Sequence, residues 1–232
     1  MRRVRPLALL FALCLGLAQE VVDRMVAVVN KQVILESELD QARRLEFLVD
    51  GKPLPNEPPE PQEMRALLDR LIDRVLLEQQ IASPGNPEIL DPKPEEVAEK
   101  IKEIRGRIPA AATEDGWEAV LKAYGLELRD LEKHLISEFR VLRFIDLRFR
   151  GLVRVDRAAI NTYYLETLLP QLTRQGSPVP PLAAVSGKIE GILVEQQMDE
   201  MLNEWLQTLR TQSHIEKLEP FGATGVLSGG RS

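Results

Sequence analysis

Cysteine is almost missing from this chain of 232 residues: Cys14 stands alone, within an N-terminal apolar run. Past that run, a disulfide scaffold and a catalytic thiol are both excluded. Histidine is nearly as scarce, with only His134 and His214. Neither has a cysteine or a second histidine nearby at metal-ligand spacing, so both read as structural or surface residues. No G-x-S-x-G elbow supports a Ser-His-Asp arrangement, and there is no Walker or dinucleotide glycine loop. Acidic pairs such as Asp69/Asp73 and Glu95/Glu96 fall in amphipathic helical patterns with cations close by. They read as solvated faces rather than catalytic carboxylates. No cofactor and no metal is expected. Excess cationic charge is also lacking: 30 Lys and Arg stand against 36 Asp and Glu, a formal charge of −6. That balance argues against nucleic acid as a partner, because phosphate binding draws on clustered Lys and Arg.

What is present begins with Arg2, Arg3 and Arg5, an apolar run from Leu7 to Leu17, and the small residues Gly16 and Ala18. A basic start, a short apolar core and small residues at −3 and −1 predict a secretory signal peptide over residues 1–18, cleaved after Ala18 to leave Gln19 first. The run is well short of the ~20 residues that span a bilayer. Leu13 stands before Cys14 where a lipidation site needs a small residue. Removing the three arginines would take the formal charge from −6 to −9. The remainder, about 214 residues, is long enough for one or two domains with a real core. No later segment approaches eighteen uninterrupted apolar residues, so a protein soluble after cleavage is expected.

Met25–Val29 and Gln32–Leu35 are short β-branched runs separated by Asn30-Lys31, the pattern of a hairpin. Val26, Val28, Val33 and Leu35 would need a further strand or helix to cover them, since isolated hairpins are marginal. Ile215 and Leu218 are suitable partners. Ser37, with Glu38 and Asp40 after it, predicts a capped helix from Glu38 to about Val49, ended by Asp50-Gly51. Lys52–Pro61 reads as a Pro-rich loop. From Gln62 to Ala82 the apolar residues Met64, Leu67, Leu68, Leu71, Ile72, Val75 and Leu76 recur at helical steps, which places this helix at the centre of the core. A charged helix over Glu95–Arg107, with a Glu96–Lys100 pair, and a short one capped by Thr113 and ended by Gly125 come next. A long helix follows from Leu128 to Phe149. Asp156 is a natural N-cap for another helix through Tyr163 and Tyr164. Pro170–Pro181 reads as linker. A helix from Leu182 to about Leu209, about 42 Å long, leads to a terminal strand at His214–Leu218. The Gly-rich end, residues 219–232, is expected to be disordered.

Three of these segments resemble the SurA-type periplasmic chaperone family in order and spacing. They are the hairpin with its helix, MVAVVNKQVILESELDQ; the pair ALLDRLIDRVLLEQQIA (Ala66–Ala82) and LRDLEKHLISEFRVLRFI (Leu128–Ile145); and the closing helix and strand, Ile189–Leu218. The resemblance implies a mainly α, multi-helix chaperone domain with a small antiparallel sheet made from the N-terminal hairpin and the C-terminal strand. One composite domain would then join residues 19–169 to residues 182–218. In that family a parvulin-type prolyl-isomerase domain usually lies between such segments. Here residues 170–181 stand in its place, far fewer than the roughly hundred residues such a core needs. The departure points to a binder without isomerase activity.

The apolar and aromatic residues Phe47, Leu48, Tyr124, Phe139, Phe144, Phe149, Tyr163, Tyr164, Met198, Met201 and Trp205 exceed what one narrow stripe on each helix requires. A subset is expected to line a groove for unfolded chains, with flexible methionine adapting to shape. Phe144 and Phe149 sit among Arg140, Arg143, Arg148 and Arg150, a basic-aromatic end suited to aromatic-rich and acidic segments. The leading expectation is an exported, ATP-independent periplasmic holdase for unfolded outer-membrane β-barrel precursors. Two rivals stay open: a prolyl isomerase with a reduced or displaced catalytic domain, and an envelope assembly protein dedicated to a single partner. A homodimer formed by swapping terminal segments is compatible with each.

Overall fold

Two β-branched runs and one short strand from the far end of the chain make the only sheet among the described residues. The computed structural model describes residues 23–83 and 88–218; the expected signal peptide and the expected disordered tail lie outside them. Strands β1 (Met25–Val29) and β2 (Gln32–Leu35) pair antiparallel, and β3 (Ile215–Lys217) pairs antiparallel with the other edge of β1, giving the order β2-β1-β3. Asn30 makes this three-way junction. Its φ of 59° turns the hairpin, a left-handed conformation that Asn tolerates better than other residues with a side chain. Its backbone N–H donates to the His214 carbonyl at 2.7 Å, and its side-chain oxygen accepts from the His214 N–H at 3.0 Å. Its amide nitrogen donates to Gln79 at 2.7 Å.

The inward-facing set of the sheet differs from expectation. Val26, Ala27, Val29 and Ile34 are buried, whereas Val33 is exposed and Val28 and Leu35 are half-buried. A register shift between Met25 and Ala27 is the cause: a bulge lets consecutive residues face the core and changes the phase of everything paired beyond it. Ile215 packs against the covered face as expected.

Helix α1 (Glu36–Val49) starts earlier than Ser37 implied. Ser37 instead donates its hydroxyl to Asp23, and the Glu38 carboxylate closes the helix start by accepting from the Leu35 N–H at 2.9 Å. Helices α3 (Pro94–Arg107) and α5 (Leu128–Phe149) open in the same way, with Glu96 on the Lys93 N–H and Asp130 on the Glu127 N–H. Thr113 and Asp156 cap α4 (Glu114–Ala123) and α6 (Arg157–Tyr163) through their side-chain oxygens, as predicted. Gly51 and Gly125, at φ 68° and 63°, end α1 and α4. At Gly125 the Leu126 N–H reaches back to the Leu121 carbonyl at 3.0 Å, and both leucines join the same apolar cluster, a complete Schellman ending.

The linker expected over residues 170–181 is shorter than predicted. A π turn, Tyr164–Leu168, carries the chain from α6 into α7 (Leu169–Arg174), so only residues 175–181 are free of helix before α8 (Leu182–Gln212). Pro170 follows directly on the π turn, whose wider path accommodates the ring within the helical run.

The core is in three linked parts. The first joins the sheet, Leu39, the apolar stripe of α2 (Pro61–Ile81) and Leu209 of α8. The second packs Leu45 and Leu48 of α1 against α3, α4 and the first half of α5. The third joins Phe149 and Val153 to Met198 of α8. Helix α1 therefore feeds two of the three, and α8 returns to both the first and the third. The expected architecture is found: a mainly helical body whose small sheet is closed by the last strand.

Candidate functional site

Ion pairs join α8 and β3 to α2 beside the apolar contact of Leu209. Arg210 donates to Asp73 at 2.6 Å and to the Asp69 carbonyl at 3.0 Å, and Lys217 donates to Asp69 at 2.6 Å. Burial alone would raise the Asp69 carboxyl, but Lys217 and Arg210 together hold it below its ordinary value. Asp69 and Asp73 are thus not merely solvated; they tie α2 to Arg210 of α8 and Lys217 of β3. Glu96, expected to pair with Lys100, instead accepts from Arg143 at 2.6 Å, and that bond lowers its pKa. His134 is structural, as read from the sequence. Its Nδ1 lies 3.1 Å from an Arg74 guanidinium nitrogen, and burial, reinforced by Arg74, holds its pKa down to about 4. The imidazole is therefore neutral at pH 7 and accepts from Arg74. Among the described residues no group of three or more His, Cys, Asp or Glu is placed to hold a metal ion, and no helix is long and apolar enough to cross a membrane.

Between α5, α8 and a short 3-10 turn at Glu88–Leu90 lies an open groove of about 760 Å³. Its walls carry Leu142, Ile145 and Leu147 from α5, Met198 and Leu202 from α8, and Ile89 and Leu90 from the turn. Leu142 is 56% exposed, Leu147 60% and Ile89 73%. Three large aliphatic side chains left in water around one concavity are unusual for a surface with no partner, where exposed leucines are normally scattered singly. The cause is the path of α5. Leu142 lies seven residues beyond Leu135, on the stripe that Leu131 and Leu135 bury in the second core. By Leu142 the neighbours that cover that stripe have ended, and α8 packs on another side of α5 through Phe144 and Phe149.

Of the residues predicted to bind, the groove contains Met198 alone. Phe144 and Phe149 are only 6% and 5% exposed, packed at 5.8 and 5.7 Å from the Trp205 ring. Met201 and Trp205 are half-buried in the same cluster. The expected basic-aromatic end keeps its basic part at the surface but not its rings: Arg140, Arg148 and Arg150 are exposed, with Arg140 paired to Asp91, Arg143 to Glu96 and Arg150 to Asp146, while Arg148 lies 4.1 Å over the Trp205 ring. Leu48 is fully buried in the second core, and Phe139 is half-buried against it. Tyr124 donates its hydroxyl to the Lys52 carbonyl at 2.6 Å, and Tyr164 donates to the Pro180 carbonyl at 2.8 Å. Phe47 lies under the Arg43 guanidinium at 5.5 Å, and Tyr163 is half-buried. These side chains hold the fold together. The groove's own residues were missed because aliphatic positions on a core stripe carry no mark of where the covering helix stops.

In comparisons with known proteins, no family model and no curated protein matches this chain.

Proposed function

We propose that the protein is an ATP-independent holdase of the SurA type, acting in the periplasm without isomerase activity. It binds apolar segments of unfolded outer-membrane β-barrel precursors in the groove between α5 and α8. The observation that carries this reading is the cluster of exposed Leu142, Leu147 and Ile89 around one 760 Å³ concavity. Fully covering an aliphatic side chain of this size is worth roughly 1.5–3 kcal/mol, and ordering a flexible client offsets much of that gain. The expected result is a shallow, weak site that releases its client without an energy source. The short connection over residues 175–181 further supports a binder rather than an isomerase, since it leaves no room for a separate catalytic domain between α7 and α8.

The test is to dilute a urea-denatured porin into buffer with and without the protein and to follow light scattering. Excess protein is expected to suppress aggregation. The L142S/L147S variant, whose changes lie at exposed positions, is expected to keep its circular dichroism spectrum and lose most of that suppression. Unchanged porin aggregation in the presence of excess wild-type protein would refute the reading. A protease-coupled peptide assay addresses the rival enzyme: prolyl isomerisation well above background would overturn the assignment as a pure binder.

A further inference from the structure

We infer that the groove selects apolar segments carrying lysine or arginine along one side, the reverse of the acidic preference that α5 alone implies. The inference rests on the proposed client-binding role and names the chemistry of the client. The two walls of the groove differ in charge. On the α5 wall both arginines are already neutralised, Arg143 by Glu96 and Arg150 by Asp146, and Arg143 also donates to the Asp91 carbonyl at 2.6 Å. On the α8 wall stand Glu195 and Asp199, both exposed and both lining the groove. Neither has a hydrogen bond or ion pair to any described residue.

Their setting sharpens the asymmetry. Between Lys188 and Arg210, α8 carries Glu190, Glu195, Asp199, Glu200 and Glu204 and no base. Glu195 and Asp199 are like charges four residues apart on a helix, an arrangement that mildly destabilises the helix and that an incoming cation relieves. They are separated by about 6 Å along the helix axis. Alternate residues of an extended chain point to the same side about 6.6 Å apart. An extended client therefore can set two basic side chains, two residues apart, against both carboxylates while its apolar side chains cover Leu142, Leu147 and Met198.

Three labelled peptides share one Leu/Val/Ala centre and carry Lys-x-Lys, Ser-x-Ser or Glu-x-Glu beside it; their binding to the purified protein is measured by fluorescence anisotropy at low ionic strength. The Lys peptide is expected to bind about three- to tenfold more tightly than the Glu peptide, from two exposed ion pairs gained and two repulsions avoided. In the E195Q/D199N variant, which changes two surface side chains with no partner among the described residues, the difference should shrink to within about twofold while the Ser peptide binds as before. Equal affinity for the Lys and Glu peptides, with the Ser peptide bound, overturns the charge selection and leaves the groove's role standing. A Lys preference that persists in the variant assigns it to the net acidity of the protein and also overturns the inference. Failure of all three peptides to bind overturns both.

Discussion

Leu209→Ala is a direct test of whether the two ends of the chain form one cooperative body. Leu209, near the end of α8, is buried in the first core with Val26, Val29, Ile34 and the stripe of α2. Truncating it removes about three carbons at ~0.8 kcal/mol each and leaves a partial cavity, a loss of about 3 kcal/mol. With a denaturant slope of about 2 kcal/mol/M in urea, the midpoint should fall by about 1.5 M. The two tryptophans report from different places: Trp205 sits on α8, and Trp117 lies in the second core on α4. In a W205F background Trp117 alone reports, and in a W117F background Trp205 alone does. Helix α1 puts Leu39 into the first core and Leu45 and Leu48 into the second. The Arg74–His134 and Glu78–Ser137 contacts tie α2 to α5. The L209A change should therefore lower both midpoints equally. A Trp205 transition that shifts by 1 M or more while the Trp117 transition stays in place would refute the argument and make α8 a separately melting flap.

Other consequences are as specific. Because the His134 pKa is about 4 in the fold and about 6.5 in the unfolded chain, the unfolded state binds the extra proton between those values. Stability therefore falls as pH drops through this window, by about 2 kcal/mol between pH 7 and pH 5; H134Q should flatten the urea midpoint over that range, and an unchanged slope would count against a neutral, buried imidazole. The Asp69 carboxyl is depressed in the fold, so its contribution is present above its unfolded pKa and lost as pH falls through the folded one. D69N should cost about 0.5–1 kcal/mol at pH 7 and reduce the further loss in acid, measured by thermal melts. Gly125→Ala should destabilise by at least about 1 kcal/mol: the φ of 63° strains a side chain, and the new Cβ would displace the Arg44 guanidinium from the Tyr124 carbonyl. The L142S/L147S variant should melt within about 0.5 kcal/mol of the parent, which checks that the groove leucines are not core.

Much of the scaffold is legible in the residues because local chemistry decides it. Thr113, Asp156, Gly51 and Gly125 mark helix ends by hydrogen bonds and backbone freedom that no tertiary contact overrides, and α5 spans the predicted residues, Leu128–Phe149. The closure of the hairpin by the terminal strand was likewise readable, since two short apolar strands cannot stand alone. Three things were not. The phase of β2 depends on a bulge at Met25–Ala27 that no residue type announces. Pro170 looks like linker, yet a π turn before it makes helix possible. The groove depends on which way α8 crosses α5: Leu142 and Leu135 are indistinguishable by pattern, and only the crossing decides that one is covered and the other left wet. Size is what draws the aromatic side chains of α5 and α8 inward, with Trp205 wedged between Phe144 and Phe149.

The join at Asn30 has a temporal side. Its bonds to His214 span 184 positions, so the inner strand of the sheet keeps an open edge until residues 215–217 have been synthesised and docked. A chain that stops before α8 exposes that edge together with the faces of α2 and α5 that Leu209 and Trp205 cover, a surface open to edge-to-edge pairing. Docking of three residues, Ile215–Lys217, is then the step that closes the sheet.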